Sequence, residues 1–162
     1  MVLNEQYSFS DVRYQITSNS AYERGYDVEL SFVDYPEKVL LEPRTTLVRL
    51  EFPIVFGFFA TVWWMRSNVL QTLLQSTDSD STALRREWQH QTAMPKANRG
   101  FRTQVIEIEL TASVYAWIGK ASAMFNKSGG AEQVYLPNLA KGAGPNRSDF
   151  ARLRHTYTLP VL

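Results

Sequence analysis

Few side chains in this sequence have the type and spacing for chemistry. Glu107 and Glu109 stand two apart in TQVIEIEL, so on a strand they share a face. Paired carboxylates serve acid–base and glycosyl chemistry. The alternating Ile106, Ile108 and Leu110, however, turn them away from a core, as on a solvated strand face. Arg49 lies in TTLVRLEF, where Leu47 and Arg49 share one face and Val48, Leu50 and Phe52 the other. An arginine there is a salt-bridge partner or a planar fork for an anion. Trp63, Trp64, Trp88 and Trp117 suit a core or a stacking surface, and the adjacent Trp63 and Trp64 on a strand must point to opposite sides. The two histidines, His90 and His155, are far apart. His155 stands with Arg152, Arg154 and Tyr157 in a basic segment that suits an anionic partner or a solvated edge.

Many chemistries are excluded. With no cysteine, disulfides, thiol nucleophiles and cysteine metal sites are impossible, and two histidines make no histidine-rich metal site; no metal is expected. There is no Walker loop, GxGxxG or GxSxG elbow. Gly142-Ala143-Gly144 reads as a loop. The 17 basic and 16 acidic residues leave a formal charge of +1, so the chain is not a polycation built to coat nucleic acid or an anionic membrane.

The elements that must position these groups read as several short strands with two helices between them. Alternation predicts strands over residues 6–17, 26–33, 45–52, 103–110 and 114–118. Another covers Gln133 to Leu136, closed by Pro137, and His155 to Pro160 reads as an edge strand. Helices are expected over 67–75, with a stripe of Val69, Leu70, Leu73 and Leu74, and near 83–91, with Leu84 and Trp88 four apart. Ser76 to Thr82, Lys127 to Ala131 and Lys141 to Ser148 read as loops or turns. The greasiest stretch, Phe52 to Met65, falls short of the about 20 residues of a spanning helix. It reads as buried strand plus turn, with an interfacial membrane loop as the second reading. The N-terminus lacks the basic and apolar regions of a signal peptide. With 162 residues, 44% hydrophobic and 20% charged, the sum is one folded α+β domain over 1–162.

Three stretches, in order, carry a resemblance: Leu47-Val48-Arg49-Leu50; the aromatic run Phe58 to Trp64; and the glycine turn running into a strand, Ser128-Gly129-Gly130-Ala131-Glu132-Gln133-Val134-Tyr135-Leu136-Pro137-Asn138. Together they resemble the ADP-ribosyltransferase-like catalytic domains of bacterial polymorphic toxins, including Rhs-type toxins and NAD glycohydrolase toxins. Those domains have an arginine strand, an aromatic or Ser/Thr strand and a GGGxQ- or ExE-type turn strand in this order. The helix around Ala83 to Trp88 and the strand Val114 to Ala121 also resemble theirs. The resemblance covers about residues 45–140, which would form the catalytic core. Residues 1–44 would be an N-terminal extension of uncertain role.

The resemblance implies split antiparallel sheets around an NAD cleft, and NAD as substrate with no metal. Arg49 would hold phosphate or ribose oxygens. Trp63 or Trp64 would stack on nicotinamide, Gly129 and Gly130 in the turn would bind NAD, and Tyr115 or Tyr135 would add a wall. Gln133 would hold a ribose hydroxyl as the catalytic member. Glu132 is the second candidate, since a glutamine cannot stabilise a ribosyl cation by charge. Strand alternation turns Glu132 and Gln133 to opposite sides unless the turn distorts the first. No Ser-Thr-Ser element is identified; Ala60-Thr61 matches poorly. The implied function is transfer of ADP-ribose to a protein or RNA in a competitor cell, by a secreted effector acting in the target cytoplasm and held in check by an immunity protein, with no membrane partner. Alternatives are an NAD glycohydrolase with water as acceptor, a structural or adaptor module whose interface is the aromatic segment, and an RNA-binding protein using Arg147, Arg152 and Arg154.

Overall fold

The computed structural model describes residues 2–14, 27–51, 62–77, 81–91, 104–123, 127–137 and 149–158. Its centre is an antiparallel sheet of seven strands. These are β1 (Glu37–Leu41), β2 (Thr46–Glu51), β3 (Trp63–Arg66), β4 (Gln104–Leu110), β5 (Val114–Lys120), β6 (Glu132–Tyr135) and β7 (Ala151–Thr158). The helices are α1 (Phe9–Val12), a 3₁₀ turn over Val28–Ser31, α2 (Ser67–Ser76) and α3 (Ser81–Gln91). The architecture is α+β, as the sequence pattern implies.

The strand order is β1-β5-β6-β3-β2-β4-β7. β1 and β2 thus stand four places apart, about 19 Å across a flat sheet. Yet residues 42–45 join them through a turn closed by the Thr45 N–H donating to Glu42 O at 3.1 Å, and the ends of such a turn lie within about 7 Å. β4 and β5, also four places apart, are joined by residues 111–113 alone. Both conditions hold only if the sheet rolls over on itself. The two links run side by side at the end of the β2–β4 ladder, which Arg44 N–H donating to Leu110 O and Leu110 N–H donating to Thr45 O extend.

The roll defines two faces. Inside, Leu47, Ile106, Ile108 and Leu110 from one half pack on Trp64, Ala116, Ile118 and Val134 from the other. Outside, α2 and α3 lay Leu70, Leu73, Leu84 and Trp88 on Val48, Leu50, Met65 and Val105. Beside them the N-terminal segment lays Phe9, Val12, Val28 and Phe32 on Trp117 and Tyr135. The described residues among the first 44 are therefore woven into the fold. β1 pairs with β5, Leu3 bridges Val114, and the buried Asn4 amide donates to Tyr115 O and Pro137 O.

Two predicted strands are corrected. Residues 6–17 form no strand among those described; Phe9–Val12 is a helical turn, started by the Asp11 carboxylate, which accepts from the Ser8 N–H at 2.6 Å and the Ser8 hydroxyl at 2.7 Å. Residues 27–33 are also not a strand. Asp27 accepts from the Glu29 N–H and starts the 3₁₀ turn, which buries Val28 and Phe32 and leaves Leu30 61% exposed. In both, a local side-chain cap overrides an alternating pattern. The helices, the strands at 46–51, 104–110 and 114–120, and the edge position of β7 match expectation.

Leu47, fully buried on the inner face, is expected to lose about 2–5 kcal/mol on Leu47→Ala in urea unfolding, while half-exposed Leu153→Ala stays within about 0.5 kcal/mol. The Arg13 guanidinium donates to Asp27 at 3.0 and 2.5 Å and holds its carboxyl below the ordinary aspartate range. A depressed pKa stabilises the fold above the unfolded value, and that contribution disappears as the pH falls through the folded one. The native chain should therefore lose stability below about pH 4 more steeply than Asp27→Asn, as melting temperature against pH will read.

Candidate functional site

Register decides which candidate groups meet. Side chains opposite each other in an antiparallel pair share a face. Leu47 pairs with Arg66, and Arg49 with Ile106, in the sheet register. Trp64 pairs with Val134, and Lys120 with Glu132. One face thus carries Arg49 on β2, Trp64 and Arg66 on β3, and Glu132 on β6. The other carries Trp63, Tyr115, Tyr135 and Gln133. The three strands of the resemblance, with Arg49 and Glu132 more than 80 residues apart, become consecutive in the sheet as β2-β3-β6.

On the first face Arg49 sets its guanidinium over the Trp64 ring, Cζ 5.8 Å from the centroid. Trp64 is 2% exposed and packs into the inner core. It is a floor under the guanidinium rather than an open stacking platform, and its buried Nε1–H has no hydrogen-bond partner among the described residues. Glu132 and Arg66 form a two-point contact, Nε to Oε1 at 2.7 Å and Nη2 to Oε2 at 3.3 Å. From strand spacing, Arg49 and Glu132 sit two strands and one pleat repeat apart, with Cα positions about 12 Å apart. The face therefore sets a cation and a carboxylate on either side of an indole.

The second face is structural. Gln133 is 6% exposed and donates through Nε2 to Ser31 O at 2.7 Å, which ties β6 to the 3₁₀ turn. Tyr135, fully buried, donates its hydroxyl to Val12 O at 2.8 Å, and burial pushes the phenol pKa up. Phe9 meets Tyr135 edge-on with centroids 6.3 Å apart, and Trp63 lies 5.1 Å from Tyr135. Tyr115 carries the Lys38 ammonium 4.5 Å above its ring. The expected convergence of Arg49 and Gln133 in one cleft does not occur, because the turn leaves β6 undistorted and Gln133 follows the alternation.

The glycine turn brings β6 in. Gly129 holds φ +67°, and a Cβ there would stand 2.4 Å from Ala121 O and 2.5 Å from Ser122 O, so only glycine fits. Gly130 N–H donates to Ala121 O, and Ala131 N–H to Gln91 O at the end of α3.

Other expected groups are engaged elsewhere or undescribed. Glu107 and Glu109 turn away from the core as expected and pair with Arg154 and Arg152, the latter contact at 2.6 Å. The proposed basic strip is thus largely neutralised at Arg152 and Arg154, and Arg147 lies outside the described residues. So do Phe52 to Thr61, the His90 side chain and Asn138. Exposed His155 faces Glu107 across the β4–β7 pair, where the register shifts by a bulge. Among the described residues no group of three or more His, Asp or Glu could hold a metal ion, and no helix is long and apolar enough to cross a membrane. Sequence reasoning missed Arg66. Its signal was present: an arginine in phase with Trp64 on the aromatic strand.

No family model and no curated protein matches the chain. Among solved structures it is similar to Rhs1-CT in complex with its cognate immunity protein RhsI1, with a TM-score of 0.57 at 12% identity over 96% of this chain and 99% of that one. At that identity the likeness is one of fold.

Because Gln133 holds the 3₁₀ turn from a buried position, Gln133→Leu should lower stability by about 1–3 kcal/mol, read by denaturant unfolding. Gly129→Ala should cost more than Gly130→Ala, whose Cβ would meet no atom within 4 Å.

Proposed function

We propose that the chain is an Rhs-type interbacterial toxin domain that cleaves the nicotinamide–ribose bond of NAD and passes ADP-ribose to a macromolecular acceptor. The observation that carries this reading is the single face on which β2, β3 and β6 present Arg49, Trp64 and Glu132. The motif strands of the resemblance are neighbours there, and the fold likeness to Rhs1-CT agrees with the toxin class.

The chemistry assigns roles by charge. The Arg49 guanidinium, backed by Trp64, holds the pyrophosphate or a ribose oxygen by a planar fork. As the C1′–N bond breaks, nicotinamide leaves with the bonding pair and the ribose becomes oxocarbenium-like. Glu132 is the carboxylate that β6 presents on that face, and it stabilises the developing positive charge. This moves the catalytic assignment from Gln133 to Glu132; Gln133 fixes β6 from behind. An acceptor nucleophile then adds to C1′ and gives its proton to solvent. Water as acceptor makes the same site an NAD glycohydrolase. An effector of this kind acts in the cytoplasm of the recipient cell, and its producer carries an immunity protein that blocks the site.

The test is release of free nicotinamide from NAD, with and without bacterial lysate. The native chain should release it, and Arg49→Ala and Glu132→Gln should each lose about 100-fold or more. Release that needs lysate means transfer, and labelled NAD then marks the acceptor. Release without lysate makes water the acceptor. No release under either condition overturns the reading.

A further inference from the structure

We infer that Arg66 is the positioning residue that fixes the plane and direction of the Glu132 carboxylate; this rests on the NAD-cleaving reading above. Arg66 ends β3 and is at once the N-cap of α2, with an extended backbone at φ −74° and ψ 153°. The Thr46 and Ser67 hydroxyls, 2.7 Å apart, pin the same junction to β2. The guanidinium therefore starts from a backbone fixed by strand register on one side and helix start on the other. Its two contacts with Glu132 are unequal, 2.7 Å at Oε1 and 3.3 Å at Oε2. A two-point fork sets the carboxylate plane, which a single-point contact leaves free to rotate. The shorter bond anchors Oε1, and the looser one leaves Oε2 able to accept from a ribose hydroxyl.

The pair is not a device for stability. Its side chains are 40% and 35% exposed, and ion pairs with that much solvent add little to a fold. Among the described residues, the other cation beside Glu132 on this face is Lys120, its directly paired residue on β5, which is exposed. A lysine there supplies charge but no plane. If charge alone mattered, Lys120 would make Arg66 dispensable.

That contrast is the test. Steady-state nicotinamide release is measured for the native chain, Arg66→Lys, Arg66→Met, Lys120→Met, and Arg66→Met with Glu132→Gln, and thermal melts confirm that each variant folds. Arg66→Met is expected to lower kcat about 10- to 100-fold with KM within about threefold. Arg66→Lys should recover part of that loss, Lys120→Met should change kcat little, and Arg66→Met should cost nothing further in the Glu132→Gln background. An unchanged kcat in Arg66→Met overturns the inference, as does a rise confined to KM, which would make Arg66 a substrate contact. Losses that add in the double variant also overturn it. A native chain that releases no nicotinamide overturns the NAD reading and the inference together, whereas release with an unaffected Arg66→Met removes the inference alone.

Discussion

Two short links decide this structure. Residues 42–45 and 111–113 each join strands four places apart in the sheet, and neither is long enough to cross a flat one. A roll follows, which packs the two halves of the inner face on each other and leaves an outer face needing two separate covers. The helices between β3 and β4 supply one cover and the N-terminal segment the other. The position of every candidate group, inside or outside the roll, is a consequence of this curvature combined with the two-residue period of a strand.

That period sorts the site into a chemical face and a supporting one. Glu132 and Gln133 are neighbours in sequence and opposites in space. One meets Arg66, with Arg49 and Trp64 on its face; the other is buried under the 3₁₀ turn and holds Ser31. Trp63 and Trp64 divide the same way, the first against Tyr135 and the second under the Arg49 guanidinium. The supporting face is aromatic and closely interlocked, and it leaves β6 little freedom to shift register. A one-residue slip would exchange Glu132 for Gln133 on the chemical face.

Much of this was legible in the sequence, and its limits have physical causes. The alternation in TLVRLE and QVIEIEL gave β2 with its division of faces and β4 with Ile106, Ile108 and Leu110 inward, and the stripe at Leu70 and Leu73 gave α2. The opposite facing of Glu132 and Gln133 was also implied by alternation. The resemblance assigned Gln133 to the ribose, but a buried amide and a ligand-holding amide look the same in sequence. The helical turn at Phe9 and the 3₁₀ turn at Val28 were missed because Asp11 and Asp27 act over two or three residues, a range that an alternating pattern obscures. Arg66 stayed hidden because its meaning depends on β3 lying between β2 and β6, and adjacency is not written in any one segment.

β1 has a further meaning for the order of assembly. Its sheet neighbour, β5, is made only after some 70 more residues, since Val39 pairs with Ala116. The aromatic N-terminal cover waits longer still, because Trp117 and Tyr135 form the surface it seals. A chain emerging N-terminus first must carry Phe9, Val12 and Phe32 uncovered until the C-terminal half exists. Contacts so distant along the chain make folding slow compared with a helical bundle of the same size. The domain is therefore committed to a long interval as an open, apolar chain before it becomes a rolled sheet.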